Sequence, residues 1–285
     1  MIMNEKNKRN LDFHQTFKPE RNCLNSLLMD LNECSGKDIY EISKITGIPT
    51  GKSSGKVVPA IFYLKYMGLI TEKLENKKYD LIYTPLGETV IMEDPGLMEQ
   101  LTLLLMHCML LRKRSGAELW SYIFCDILPK YHGKINKTNL DKELELHFGK
   151  EVNLAPFNGT YNGLFEMLNL INITADEYLV NAHMYDTEYI FLYAFILYEY
   201  WDEWLEGFGN QKNMLKVSET EITSLQLEST GFRFPFGWNE QEEYQVLELL
   251  HDRGVIALNR QMTPFSVRRI YPKKKIIDLL YSELC

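Results

Sequence analysis

No two cysteines of this sequence stand at Cys-x-x-Cys spacing, and their number is odd: Cys23, Cys34, Cys108, Cys125 and Cys285. Zinc ribbons are excluded and a disulfide framework is disfavoured, so free thiols in a reducing compartment are expected. Long apolar runs are missing too. Residues 101–111 are too few to span a bilayer, and Glu199, Asp202 and Glu203 interrupt the end of residues 189–204. The opening MIMNEKNKRN is polar and lacks the apolar stretch of a secretory signal. A disordered tail over 1–10 and a cytoplasmic protein with no membrane partner are the expectations.

A nucleotide loop is also lacking, although one stretch imitates it. Residues 47–57, GIPTGKSSGKV, contain Gly51-Lys52-Ser53. A P-loop is G-x-x-x-x-G-K-[ST] between a buried strand and a helix. Here Gly47 and Gly51 are one residue too close, and residues 39–46 have helical spacing. No apolar strand closed by aspartate follows. There is no G-x-S-x-G, no D-x-D and no paired-carboxylate loop, and His132, His147, His183 and His251 have no ligand partner at metal spacing. His107 lies in an apolar run and reads as core. No catalytic residue, metal ligand or cofactor is assigned, and the chain is read as non-enzymatic.

What is present is ample for folding: 285 residues, 45% hydrophobic and 25% charged. The net charge of −8 hides a sharp distribution. Residues 1–78 carry 13 basic against 9 acidic side chains, and residues 253–285 carry 7 against 2. Between them 11 basic side chains face 28 acidic ones. Basic ends around an acidic middle suit local phosphate contacts on a protein that otherwise repels DNA.

Residues 19–32 have helical spacing at Leu24, Leu27, Leu28 and Leu31, and Asp38 is placed to cap a short helix ending at Gly47. A third helix is expected from Ser53 or Ser54 to Met67, followed by two strands around Glu75-Asn76-Lys77-Lys78. That is the order of a winged helix-turn-helix. Residues 240–271 echo it: an amphipathic helix, a glycine, then strand candidates at 255–259 and 265–271. The fold class is therefore mainly α. A winged helix-turn-helix domain is expected over 11–95, a helical domain over 96–209 and a second winged-helix-like domain over 210–285. In the middle, helices are expected at 97–112, 117–128, 137–148, 163–170 and 187–207, with a strand pair or turn at 176–184.

In this reading Thr50, Lys52, Ser53, Ser54 and Lys56 crowd the leading end of a recognition helix, whose free N–H groups favour an anion. Lys77 and Lys78 sit at the wing tip, and Arg268, Arg269, Lys273, Lys274 and Lys275 supply a second basic contact. Double-stranded DNA is the expected partner. The plainer reading makes Ser53 an N-cap and the lysines a solvated face, with the winged helices holding protein subunits or a second copy of the chain. The acidic residues Glu199, Asp202, Glu203 and Glu206 share one helical side. Their ordinary meaning is a solvated face, and a divalent-metal nuclease site is the remaining alternative. Tyr193, Tyr200, Trp201, Trp204 and Phe208 read as core or oligomer interface before base-stacking.

The order Phe13-His14-Gln15-Thr16-Phe17, with Arg21 following, and the later Tyr66-Met67-Gly68-Leu69-Ile70 resemble a bacterial family, the domain of unknown function numbered four-thousand-and-seven. Its members open Gly-His-Glu-Thr-Phe followed by an arginine, and the likeness is clearest over residues 11–90. Such proteins are encoded beside DNA phosphorothioation and related anti-phage genes. The resemblance thus implies a DNA-facing targeting or regulatory subunit of a modification or defence system, or an adaptor within its enzyme complex. The chain departs from the pattern at Gln15 and at Phe13, where the family has an acidic residue and a glycine. A His-Gln pair suits hydrogen bonding better than acid–base work.

Overall fold

The leucines at 24, 27 and 28 build helix α1 (Arg21–Met29), but Asp30 breaks the expected run and α2 (Leu31–Cys34) adds a single turn. The computed structural model describes residues 11–51, 54–209, 218–261 and 263–284; the expected tail at 1–10 and most of the polar loop after Gly209 lie outside them. Asp38 then caps α3 (Ile39–Thr46), accepting from the Tyr40 and Glu41 N–H groups, while the Glu41 carboxylate accepts from the Asp38 N–H. Gly47, at φ 72°, stops the helix in the left-handed conformation.

The next helix, α4 (Val57–Tyr66), starts later than expected from Ser53 or Ser54. Thr50 and Gly55 form a β-bridge and the Lys56 N–H donates to the Pro49 carbonyl at 2.8 Å, so the chain closes on itself before the helix begins. Gly55 permits this contact: a Cβ there would lie 2.2 Å from Thr50 Oγ1. Strands β1 (Ile70–Glu75) and β2 (Lys78–Tyr83) pair antiparallel around Asn76 and Lys77, whose φ values of 51° and 64° suit a type I′ turn. Thr84 caps α5 (Pro85–Glu93). Gly87 lets that helix approach so closely that a Cβ would stand 1.9 Å from the Leu69 carbonyl oxygen. Helix α6 (Gln100–Leu110) follows, buried from Leu101 onward, with His107 in the core as expected.

The middle is not purely helical. After α7 (Glu118–Tyr122), a π-turn and α8 (Leu128–Lys130) comes β3 (Lys134–Asn136), then α9 (Lys137–Phe148) and α10 (Ala155–Gly159). A π-turn and a 3₁₀ turn carry α10 on to Leu168, so helical structure starts well before the expected residue 163. Strands β4 (Ile171–Ile173) and β5 (Glu177–Val180) complete a sheet of order β3-β5-β4.

The chain forms two compact units, 1–179 and 180–285. In the second unit α11 (Ile190–Glu206) is buried on nearly every side, with Tyr193, Tyr200 and Trp201 in the core. Then come β6 (Glu221–Thr223), α12 (Ser224–Thr230), α13 (Glu240–Asp252), β7 (Ile256–Asn259), β8 (Ser266–Arg269) and α14 (Lys273–Asp278). Their sheet runs β6-β8-β7. Helix, strand, helix, helix and hairpin therefore recur with the same strand order in the middle and at the C-terminus. The N-terminal segment has that plan with its first strand reduced to the single bridge Lys37–Tyr79. The middle copy was missed by sequence because its strands are only three or four residues long.

Glu243 of α13 is buried, which pushes its carboxyl up to about 7, against the pull of Arg233 at 3.5 Å. An acid whose pKa is raised by folding binds more protons folded than unfolded, so stability falls as pH rises from about 4.5 through 7. A Glu243→Gln variant is expected to flatten that slope and to melt higher than the parent at pH 8. Thermal melts across the pH range check it, and an unchanged slope would refute it.

Candidate nucleic-acid interface

Asp38 reports where positive charge gathers. Its carboxyl is held below the usual range first by the backbone N–H of Glu41 and also by that of Tyr40, then by the charges of Lys78 and Lys44. Lys44 in the last turn of α3 and Lys78 at the start of β2 both contribute to that lowering. Lys37 is next to it in sequence, its backbone bridged to Tyr79, and Lys77 is the neighbouring turn residue. Lys44, Lys77 and Lys78 are exposed and Lys37 is half-buried. Sequence reasoning named Lys77 and Lys78 but missed Lys37 and Lys44. The only available signal was their position flanking the capped helix, which gains meaning when the hairpin folds back onto it.

The expected leading end of α4 is arranged differently. Lys52 and Ser53 lie outside the described residues; Thr50 is half-buried in its bridge and Ser54 is exposed. Lys56 is turned to Glu20, with Nζ 2.7 and 2.8 Å from its two carboxylate oxygens, and lies 5.8 Å from the Phe17 ring centre. That pairing raises the Lys56 pKa. A Lys56→Glu variant is thus expected to lose about 1 kcal/mol of stability, as for a partly exposed ion pair. Denaturant titration of parent and variant measures it, and equal midpoints would refute it.

The opening motif is packed against α4. Phe13 is buried edge-to-face against Tyr63 and Tyr66. His14 is buried, which lowers its pKa, and its Nδ1 accepts from the Thr16 N–H at 3.0 Å, leaving the ring proton on Nε2. Gln15 and Thr16 both take positive φ, 45° and 73°, and are exposed. The Phe17 carbonyl accepts from the Tyr63 hydroxyl at 2.9 Å, and Arg21 reaches the Met98 sulfur. Asp12, the carboxylate felt by His14, is paired with Lys150. The motif thus ties the opening turn to α4.

In the second unit the expected basic contact splits. Arg269 is held at 2.6 Å by Asp202, donates to the Tyr198 carbonyl and stacks over Trp201 and Tyr198, 4.1 and 4.5 Å from their ring centres. Lys273 pairs with Glu199 and Asp202. Lys275 stands over the Tyr271 ring. Arg268 and Lys274 are exposed. The acidic side of α11 is consequently not a plain solvated face: Glu203 is buried, while Glu199 and Asp202 bind cations from β8 and α14.

No family model and no curated protein matches the chain. The solved structures do offer a likeness. Two crystal structures of SspB share this fold. One, with a magnesium ion bound, superposes with a TM-score of 0.67 at 15% identity, covering 97% of this chain and 87% of that one. The other gives 0.66 at 14% identity over the same shares. At such identity the likeness speaks for the fold. No helix among the described residues is long and apolar enough to cross a membrane.

Proposed function

We propose that this protein is a DNA-facing subunit of a bacterial DNA-modification or anti-phage defence system, and that its N-terminal module is a winged helix-turn-helix that grips duplex DNA by its phosphates. The observation that carries the reading is the Lys37–Tyr79 bridge, which ties the hairpin bearing exposed Lys77 and Lys78 to the residue before the cap of α3, the helix whose last turn bears exposed Lys44. Other lysines of the module are engaged within it: Lys56 with Glu20, Lys65 with Glu72 and Lys73 with Glu75. The resemblance of residues 11–90 to a family found among phosphorothioation genes, and a fold shared with SspB over nearly the whole chain, support the setting.

Four phosphate contacts predict that log K falls with log salt at a slope of about −3.6. Polarisation titrations of a short duplex at several salt concentrations test this; no binding at low salt would remove the reading and favour a protein adaptor. The adaptor alternative is favoured by one observation, the half-buried Val58 and Phe62 that α4 leaves uncovered. In the metal-dependent alternative built on α11, Glu199 and Asp202 would have to give up Lys273 and Arg269 to bind an ion. Among the described residues no group of three or more His, Cys, Asp or Glu is placed to hold a metal ion.

A further inference from the structure

Three exposed methionines border a seam in the first unit, where the segment after α5 lies along α1. Met29, Met92 and Met98 are 54%, 73% and 57% exposed. Hydrogen bonds set their order. The Arg21 guanidinium donates to the Met98 sulfur at 2.9 Å, and the Asn25 amide, one turn further along α1, donates to the Pro95 carbonyl. Met29 is the next residue at four-residue spacing on that side of α1, and Met92 lies in the last turn of α5, just before Pro95. Met29 and Met92 therefore stand towards one end of the seam and Met98 at the other. The segment itself is fixed: buried Asp94 accepts from the Met98 and Glu99 N–H groups, both at 2.9 Å.

Charge completes the surface. Each methionine is followed in sequence by a carboxylate, half-buried Asp30 or exposed Glu93 and Glu99, and none of the three has an ion-pair partner among the described residues. Arg21, the cation at one end, is turned to the Met98 sulfur. Unbranched, polarisable methionines adapt to an apolar partner, and an exposed apolar surface with a polar rim marks a protein contact. From Arg21 to Met29 the seam runs about 12 Å, at about 1.5 Å per residue of α1, close to the span of apolar anchors at i, i+4 and i+7 of a second helix. We propose that this seam docks a basic amphipathic helix of a partner protein, with its apolar stripe on the methionines and its cations against the three carboxylates. Such docking does not depend on DNA contact, which is read from the lysines of α3 and the β1–β2 hairpin.

The full chain is titrated with a fluorescent peptide of leucine and lysine patterned as an amphipathic helix. Beside it are run a peptide of the same composition with the pattern scrambled and a leucine–glutamate peptide with the pattern kept. Saturable binding is expected for the first alone. A Met92→Gln, Met98→Gln variant should weaken it by at least about tenfold, the worth of burying one methionine side chain. A Glu93→Gln, Glu99→Gln variant should weaken it and flatten its salt dependence. All four side chains are exposed, and Met29→Gln reads the same seam from α1 should either pair disturb folding. Equal binding of the scrambled peptide, or full affinity in the methionine variant, reduces the contact to charge alone and overturns the proposal. No saturable binding, or preference for the acidic peptide, overturns it as well. Dimerisation of the full chain that the methionine variant abolishes assigns the seam to a second copy instead. Duplex binding by these variants should match the parent's, so failure here leaves the DNA-contact reading standing.

Discussion

Reversing two charges, in a Lys77→Glu, Lys78→Glu variant, is expected to weaken duplex binding at low salt on the order of 100-fold, and to flatten the salt slope by about two. Both residues are exposed at the tip of the β1–β2 hairpin, so the fold has little to lose. The turn itself is set by the backbone: Asn76 and Lys77 both occupy the left-handed region. A glutamate at 77 must accept the same strained φ as lysine does, and a Lys77→Gly, Lys78→Gln variant controls for this by relieving strain while removing charge. It should lose less affinity than the reversal but show the same fall in slope. Equal slopes for parent and both variants would exclude the hairpin from the interface.

The second large effect concerns stability. Arg269→Ala is expected to destabilise the second unit by about 2 kcal/mol, for breaking a half-buried, hydrogen-bonded ion pair that also stacks on aromatic rings. The guanidinium has several simultaneous tasks: it pairs with Asp202, donates to the Tyr198 carbonyl and stacks on Trp201 and Tyr198. Truncation leaves Asp202 with Lys273 alone and opens space against two aromatic rings. Arg269→Lys should rescue little, because an ammonium lacks the planar fork that serves both partners at once. Exposed Arg268, on the same strand, is the comparison, and its alanine variant should stay within about 0.5 kcal/mol of the parent. Denaturant unfolding followed by tryptophan fluorescence measures both. If Arg269→Ala unfolds like the parent and instead lowers the salt slope, the residue faces DNA after all.

Sequence reasoning reached the helices because their signals are local. Asp38 with Glu41 makes a capping box, Gly47 supplies the left-handed stop, and the Leu24, Leu27 and Leu28 spacing marks a buried face. The start of α4 failed for a physical reason: serines before an apolar run look like caps, yet a Thr50–Gly55 bridge had already turned the chain. The middle strands were equally hidden. Three residues such as Lys134–Asn136 have too few alternations to register, and they become a strand only by pairing with β5.

The candidate interface divides along the same line. Charge and turn residues in sequence were enough to mark Lys77 and Lys78, because a polar turn between two strands is written in adjacent positions. Tertiary structure decided which other cations are available. Lys56 and Glu20 are 36 residues apart, and Arg269 and Asp202 are 67 apart, so neither pairing has a local sign. Folding also decided the role of Lys56, which neutralises a carboxylate beside the opening turn, while the hairpin that bears Lys78 is tied to Lys37 only through the Lys37–Tyr79 bridge. Sequence by itself determined mostly α-helical structure, the caps and the hairpin turn, since these depend on neighbours a few residues away. The free and the occupied charges were settled by contacts across the fold, where distance in sequence carries no information.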